Sequence, residues 1–287
     1  MKLSIITINY NNCAGLQATI ESVRRQSIND FEYIIIDGGS TDGSKEVILN
    51  NKDIVSKWVS EKDKGIYNAM NKGTVMASGD YCLFLNSGDY LHNENSIESI
   101  IDLLGDTDFV FGRIIFLDSG RLSEVPEQIS FDFMFLNSLP HPSSFIKREL
   151  LVKYPYDESY KIVSDWKFFL QTVIIDNSTY LLSDAIISDF DCNGISSTNN
   201  KLNEMERKAV IEELFPKRVV LDYLRFYLGP NYTDTTYDKF FIQLRDYRSA
   251  KLIYFLNGIL LRIVALFKKE FSFVKEYPLW LKNVKHS

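Results

Sequence analysis

Four short segments in the first third of the chain, Leu3–Asn9, Phe31–Asp37, Ile54–Ser60 and Asp80–Leu85, read as strands, and the first, second and fourth are apolar almost without interruption. A strand that shows water neither face must be covered on both, so these runs do not suit an open sheet with one wet side. Between them Ala14–Gln26, Ser44–Asn50 and Ile66–Ser78 carry helical spacing, the last with Gly79 as its C-cap. The alternation predicts a mostly parallel α/β sheet with helices on both faces. Ligands of such sheets bind beyond the carboxyl ends of the strands. Thr7, Asn9, Asp37 and the segment Asn86–Asp89 all lie at those ends, so one crevice is expected to collect them.

The middle of the chain is less regular. Phe109–Leu117 and Tyr180–Phe190 read as strands, Glu149–Lys153 as a short helix, and Val163–Ile175 as a helix with Ser164 as its cap. Glu204–Leu228 reads as helix and begins a C-terminal appendage. The expected organisation is a catalytic domain over residues 1–200 and a helical region over 201–287. Within the latter, Leu252–Phe267 is a 16-residue apolar run broken by Arg262. That is short for a membrane span of roughly 20 residues. Lys251, Gly258, Arg262 and Lys269 share one stripe of a helical wheel, leaving a broad apolar face suited to a membrane interface or to packing on the catalytic domain.

Charge discriminates between partners. The formal charge is -6, but residues 245–287 hold nine Lys/Arg against three acids, a surplus of six that leaves the remainder at -12. An acidic body argues against nucleic-acid binding, while a basic, apolar tail suits an anionic membrane surface. The opening run Met1–Ile8 is too short for a secretion signal and lacks a small-residue cleavage site, so export is not expected. Cys13, Cys82 and Cys192 match neither a disulfide framework nor a zinc pattern, which points to a reducing, cytoplasmic compartment.

Chemistry concentrates in Ser60–Gly73 and Phe84–Asp89, where acids, amides and lysines sit on loops beside an apolar strand that ends in a carboxylate. Such an arrangement suits a metal-bound diphosphate and hence a nucleotide sugar. Thr7 and Asn9 can hydrogen-bond a nucleobase edge, although such residues also simply end strands. Asp37 can accept from a base N–H or a ribose hydroxyl, or anchor an Asx turn ahead of Gly38 and Gly39. Lys64 and Lys72 can meet a diphosphate as point charges, with solvated surface the ordinary state of Lys72 on its helix. Gly65 suits close approach of backbone to a ligand and equally a helix-entry turn.

Taken in order, Ile5–Asn11, the loop Ile36–Gly43, Asp63–Lys64–Gly65, Leu85–Asp89 and Ser164–Asp165–Trp166 resemble the family 2 glycosyltransferases of the GT-A fold, over roughly residues 1–190. The resemblance implies a Rossmann-like, mostly parallel GT-A sheet with a C-terminal helical appendage, and inverting transfer of a sugar from a nucleotide-diphosphate sugar, a UDP-sugar being favoured. It implies that Asp37 and Asp63 read the nucleoside, with Thr7, Asn9, Gly65 and Asn86 in the same nucleotide-sugar site. Asp89 corresponds to the carboxylate that binds Mn2+ or Mg2+, and Asp165 to the catalytic base. His141 and Trp166 correspond to the acceptor side. Asn86 and Gly88 stand where other members often carry aspartates, which leaves one motif carboxylate for the metal. Asp157 and Glu158 are nearby substitutes for the base.

With the basic, aromatic tail, the resemblance further implies a saccharide or polyprenyl-diphosphate-linked acceptor in bacterial surface polysaccharide synthesis. The protein would then be peripheral on the cytoplasmic face of the inner membrane. Two other readings stand beside this one. A catalytically inactive nucleotide-sugar-binding or scaffold protein gains weight from the thin Asn86–Asp89 motif. A sugar nucleotidyltransferase is disfavoured, because Tyr10–Cys13 offers no Gly-rich phosphate loop with a basic residue.

Overall fold

The computed structural model describes residues 2–124, 126–194 and 199–226. Its strands are β1 (Leu3–Asn9), β2 (Glu32–Asp37), β3 (Lys57–Ser60), β4 (Tyr81–Phe84), β5 (Tyr90–Leu91), β6 (Phe109–Phe116), β7 (Ser144–Lys147) and β8 (Tyr180–Phe190). They form one sheet in the order β3-β2-β1-β4-β7-β6-β8-β5. The first four pair in parallel; β1, β2 and β4 are buried on both faces, as such pairing demands, while β3 at the edge is half-buried. β7 runs antiparallel between β4 and β6, and β5 antiparallel beside β8, so the sheet is mixed. β6 and β8 are parallel with register shifts on either side of Arg113.

Helices α1 (Cys13–Arg24), α2 (Ser44–Asn50) and α3 (Ile66–Met76) are the crossovers of the parallel half. Leu16, Ile20 and Val23 of α1 and Ile48 of α2 bury against Ile5, Tyr33, Ile35 and Leu83. The spacing of those α1 residues is the helical stripe seen in the sequence. Buried Glu32 closes the opposite, amino end of this sheet: its carboxylate accepts from Ser4 Oγ, Ser78 N and Ser78 Oγ and pairs with Lys57 Nζ at 2.6 Å.

Several expectations need correcting. α3 ends at Met76, with Ala77 in extended conformation as its cap, and Gly79 instead lies so close to β1 that a Cβ would meet the Leu3 backbone at 2.7 Å. The helix expected over Val163–Ile175 is α7 (Ser164–Phe169) followed by a π-helical turn, Leu170–Ile175. Ser164 does not cap it; its hydroxyl is buried without a hydrogen-bond partner. Glu204–Leu228 is not one helix, because α8 (Asn200–Leu214) stops ahead of Pro216 and α9 (Lys217–Phe226) starts after it. A proline has no N–H to give an α-helical ladder. α4 (Glu98–Ile101), α5 (Phe131–Leu136) and the 3-10 turn His141–Ser143 were not expected, nor were β5 and β7. α6 (Arg148–Lys153) adds one residue to the helix expected there.

The chain divides into two compact units between Phe215 and Pro216. The first holds the sheet and α1–α8, and in the second the described residues form α9. The apolar run Leu252–Phe267 and the basic segment 245–287 lie outside the described residues. Among the described residues no helix is long and apolar enough to cross a membrane.

Candidate active site

The registers of the parallel half bring Asn9, Asp37 and Ser60 into one row at the carboxyl ends of β1, β2 and β3. Asp37 is fully buried in that row. Its carboxylate accepts from Asn9 Nδ2 at 2.8 Å, Ser40 N at 3.1 Å, Ser40 Oγ at 2.5 Å and Ser60 Oγ at 2.6 Å. Burial pushes the acid up, but the hydrogen bonds from Ser40, Ser60 and Asn9 outweigh it and hold the carboxyl below its usual range. Thr7 is buried too, its hydroxyl 3.0 Å from that of Tyr33. Thr7, Asn9 and Asp37, expected to face the ligand, are buried and do not line the cavity: they form a layer beneath it.

Above this layer opens a cavity of about 1260 Å³. It exceeds the ~300–1,000 Å³ of an ordinary small-molecule pocket and leaves room for two substrates. One wall carries Tyr10, Gly38, Asp63 and Gly65. Tyr10 is 65% exposed despite following a buried strand. Gly38 lets these side chains close in: a Cβ there would stand 2.5 Å from Asp63 Oδ2 and 3.1 Å from the Tyr10 ring, so a larger residue would push the Asp63 carboxylate aside. Asp63 Oδ1 accepts from Gly65 N at 3.0 Å, and Gly65, at φ +130°, turns the loop into α3. Lys72, expected as solvated surface on its helix, is instead part-buried and pairs with Glu61 at 2.7 Å.

The floor beyond β4 is the Asn86–Asp89 loop, tied to α1 by Asn12 Nδ2 on the Ser87 carbonyl and by the Thr19 hydroxyl on the Asp89 carbonyl. Asp89 is 3% exposed, and its Oδ1 accepts from Asp191 N at 2.8 Å. Burial raises this carboxyl to about 6; nearby His141 and the bond from Asp191 N lower it, while the Asp191 charge adds to the rise. The Asp191 carboxylate lies against Gly88, 3.0 Å from where a Cβ would stand. Asn86 Nδ2 is 2.9 Å from His141 Nε2, and Asn86 Oδ1 is buried without a partner. Among the described residues no group of three or more His, Cys, Asp or Glu can hold a metal by itself. Asp89, Asp191 and Asn86 nevertheless offer oxygen donors of the kind a hard cation takes, and the unpartnered Asn86 Oδ1 is one of them.

The opposite wall carries His141, Asp165 and Trp166. Asp165 stands in the first turn of α7, and its Oδ1 accepts from the Tyr67 hydroxyl at 2.9 Å. Its Oδ2 lies 3.8 Å from His141 Nδ1. An amide nitrogen only donates, so His141 Nε2 accepts from Asn86 and Nδ1 carries the ring proton toward Asp165. Trp166 is almost wholly buried, with its indole N–H on the Met134 carbonyl and Arg207 stacked 4.4 Å over its ring. It shapes the wall more than it offers a contact. The loop ahead of Asp165 is held by Glu206, whose carboxylate accepts from the backbone N–H groups of Lys161, Ile162 and Val163. Asp157 is bound by Lys167 and Glu158 by Asn68 and Asn71, so neither substitutes for Asp165 at the cavity.

The fold thus brings together Asp63, Gly65, Asn86, Asp89, His141 and Asp165. Sequence reasoning missed Tyr10, Tyr67, Asp191 and Glu206. Asp191 follows the end of a strand, the same signal that singled out Asp37 and Asp89. Tyr10, between two asparagines after a strand, was legible as an aromatic leaving the core. Tyr67 carried no such mark, since an aromatic at helical spacing reads as core.

Residues 4–158 match the family model described as glycosyl transferase family 2. An uncharacterized glycosyltransferase of Mycobacterium tuberculosis is 29% identical over 238 residues, covering 78% of this chain and 90% of its own. A PGL/p-HBAD biosynthesis glycosyltransferase of Mycobacterium bovis is 30% identical over 178 residues, 58% of this chain and 67% of its own. Among solved structures, S. aureus TarS 1-349 in complex with UDP-GlcNAc superposes with a TM-score of 0.61 at 17% identity, over 84% of this chain and 75% of that one. The longer TarS chain is covered over 45% of its length. A mannosyltransferase of Pyrobaculum calidifontis in complex with GDP-Man and Mn2+ gives 0.60 at 11% identity, over 96% of this chain and 84% of that one. At these identities the structural likeness establishes the fold, which is GT-A.

Proposed function

The chain belongs to glycosyl transferase family 2, and from that premise we propose that it transfers a sugar, with inversion, from a UDP-sugar to a hydroxyl of a lipid-linked saccharide in bacterial surface polysaccharide synthesis. Tyr10, Gly38 and Asp63 receive the nucleoside: the exposed ring offers a stacking face and the carboxylate an acceptor for base or ribose. Thr7, Asn9 and Asp37 act from beneath by holding that wall in place. Asn86 and Gly65 border the diphosphate and sugar. A divalent cation, Mn2+ or Mg2+, would be held by Asp89 with Asp191 alongside and would supply positive charge to offset the leaving diphosphate.

Asp165 is the base. Its Oδ2 is the oxygen left to the cavity, where it takes the proton of the acceptor hydroxyl while that oxygen forms the new bond to the anomeric carbon and the bond to the diphosphate breaks. His141 and the edge of Trp166 border the acceptor. The basic, apolar tail is suited to hold the protein peripherally on the cytoplasmic face of the inner membrane, where a polyprenyl-diphosphate-linked acceptor is found.

The observation that carries this reading is the pair of carboxylates on one cavity, Asp89 deeply buried beside Asp191 and Asp165 with one oxygen open. A panel of nucleotide sugars, scored by thermal stabilisation with and without Mn2+, tests it. A UDP-sugar should raise the melting temperature, and Asp89→Ala should remove the Mn2+-dependent part. Asp165→Asn should keep the shift but lose UDP release by about a thousandfold or more. Turnover retained by Asp165→Asn, or a panel in which nothing stabilises the protein, would overturn the proposal.

A further inference from the structure

We propose that Tyr67 is a positioning residue for Asp165: its single hydroxyl proton, shared between Asp165 and the Ile162 carbonyl, follows the charge of the base and fixes which carboxylate oxygen faces the acceptor. This rests on the assignment of Asp165 as base. The Tyr67 hydroxyl is 2.9 Å from Asp165 Oδ1 and 2.5 Å from the Ile162 carbonyl oxygen. A phenol has one proton to donate, so only one of these acceptors is served at a time. The carbonyl contact is the shorter of the two, but an ionised carboxylate makes the stronger, charge-assisted bond and so competes for the proton. Once the carboxyl has been neutralised by the acceptor's proton on Oδ2, the advantage disappears and the Tyr67 proton turns to the carbonyl. No bond is made or broken at Tyr67 in this exchange.

The surroundings leave the hydroxyl few other choices. Tyr67 is 5% exposed, and its ring packs on Tyr156 at 5.5 Å between centroids. Burial, reinforced by the Asp165 charge, pushes the Tyr67 phenol well above its ordinary range, so the proton is never lost at physiological pH. The Ile162 peptide cannot drift away, because its N–H is held at 2.9 Å by Glu206. The titratable groups facing Asp165 are Tyr67 from α3, His141 from the turn before β7, and Tyr156 from the segment after α6. With Oδ1 engaged by Tyr67, Oδ2 remains on the His141 and cavity side. Tyr67 also stands two residues after Gly65, so the element that leaves the nucleotide wall is the one that grips the base.

Tyr67→Phe keeps the packing and removes the hydroxyl. The first readout needs no substrate: in full-length protein with 13Cγ-labelled aspartate, the resonance lost in Asp165→Asn is Asp165, and its chemical shift should move in Tyr67→Phe, because the hydrogen bond to Oδ1 is gone. The second is UDP release from UDP-glucose and from UDP-N-acetylglucosamine, water standing in for the acceptor. Tyr67→Phe should lower kcat about tenfold and leave the donor KM within twofold. The double variant Tyr67→Phe/Asp165→Asn should be no slower than Asp165→Asn alone. An unmoved Asp165 resonance in a folded Tyr67→Phe protein would overturn the proposal whatever happens to kcat. A shifted resonance together with full activity in Asp165→Asn would instead sink the assignment of the base and leave the hydrogen bond standing.

Discussion

Two aspartates are buried beyond the strand ends of the parallel half, Asp37 closing β2 beneath the cavity and Asp89 in the loop after β4 that forms its floor, and the two behave in opposite ways. Both are closed off from solvent, Asp37 at 0% exposed and Asp89 at 3%, but Asp89 is set the more deeply, and its burial is the largest cause of its raised carboxyl. Asp37 accepts hydrogen bonds from Asn9, Ser40 and Ser60 and is held below its usual range, whereas Asp89 accepts through its side chain from Asp191 N and is raised to about 6. A buried carboxylate whose oxygens are all engaged stabilises the ionised form and belongs to the framework. One with an oxygen in reserve is destabilised as an anion, and a cation or a proton relieves it. The comparison distinguishes a fully engaged acid from one with few partners where the sequence, which follows a strand with an acid both times, does not.

The largest effect expected from this difference is on Asp37. Asp37→Ala should cost about 3 kcal/mol, because it strands the donors of Asn9, Ser40 and Ser60 in a buried row. Urea unfolding at pH 7 measures this, and a loss below about 1 kcal/mol would erase the contrast. The sign with pH follows from the lowered carboxyl: the contribution of Asp37 is present above the ordinary aspartate value of 3.8 and is lost as pH falls through its lower, folded value.

Glu206 extends the comparison to a third carboxylate, fully engaged but at the other wall. Glu206→Ala should cost about 2 kcal/mol by leaving the amides of Lys161, Ile162 and Val163 without their acceptor. It should also slow turnover through the loop that carries Asp165. Unchanged kcat with the stability loss intact would show that the loop keeps its shape without this clamp.

The smallest effect carries the opposite sign. In EDTA, Asp89→Asn should stabilise the protein by about 1 kcal/mol at pH 8. A raised carboxyl contributes stability that is complete below 3.8 and lost as pH rises through about 6, so the gain from the amide should shrink toward zero at pH 4. A gain that persisted at pH 4, or a loss at pH 8, would contradict the account of Asp89 as an acid short of partners.

How much of this was legible beforehand differs along the chain. The parallel half was read closely, and β1, α2 and β8 have the expected limits, because two-sided apolar runs and amphipathic helices are local patterns. The junctions were less visible. β5 has two residues, too few for any periodicity, and β7 follows a proline-bounded turn whose pairing partners, β4 and β6, are remote in sequence. At the site, Asp63, Asn86, Asp89 and Asp165 were found from motif order and do line the cavity. Tyr67 and Glu206 were not, since each meets its partner across tens of residues: 98 separate Tyr67 from Asp165, and 44 separate Glu206 from Ile162.

By itself, then, the amino-acid sequence determined the alternation of strand and helix, the placement of polar residues at strand ends and the order of motifs that places the chain in its family. Those properties depend on neighbours a few positions away, through side-chain period and backbone preference. Tertiary structure alone decided which acids open to the cavity and which are sealed under it. That choice depends on what remote elements bring against each acid: Ser60 of β3, which helps satisfy Asp37, a backbone amide just past β8 that engages one oxygen of Asp89, and Tyr67 of α3, which leaves one oxygen of Asp165 to the cavity.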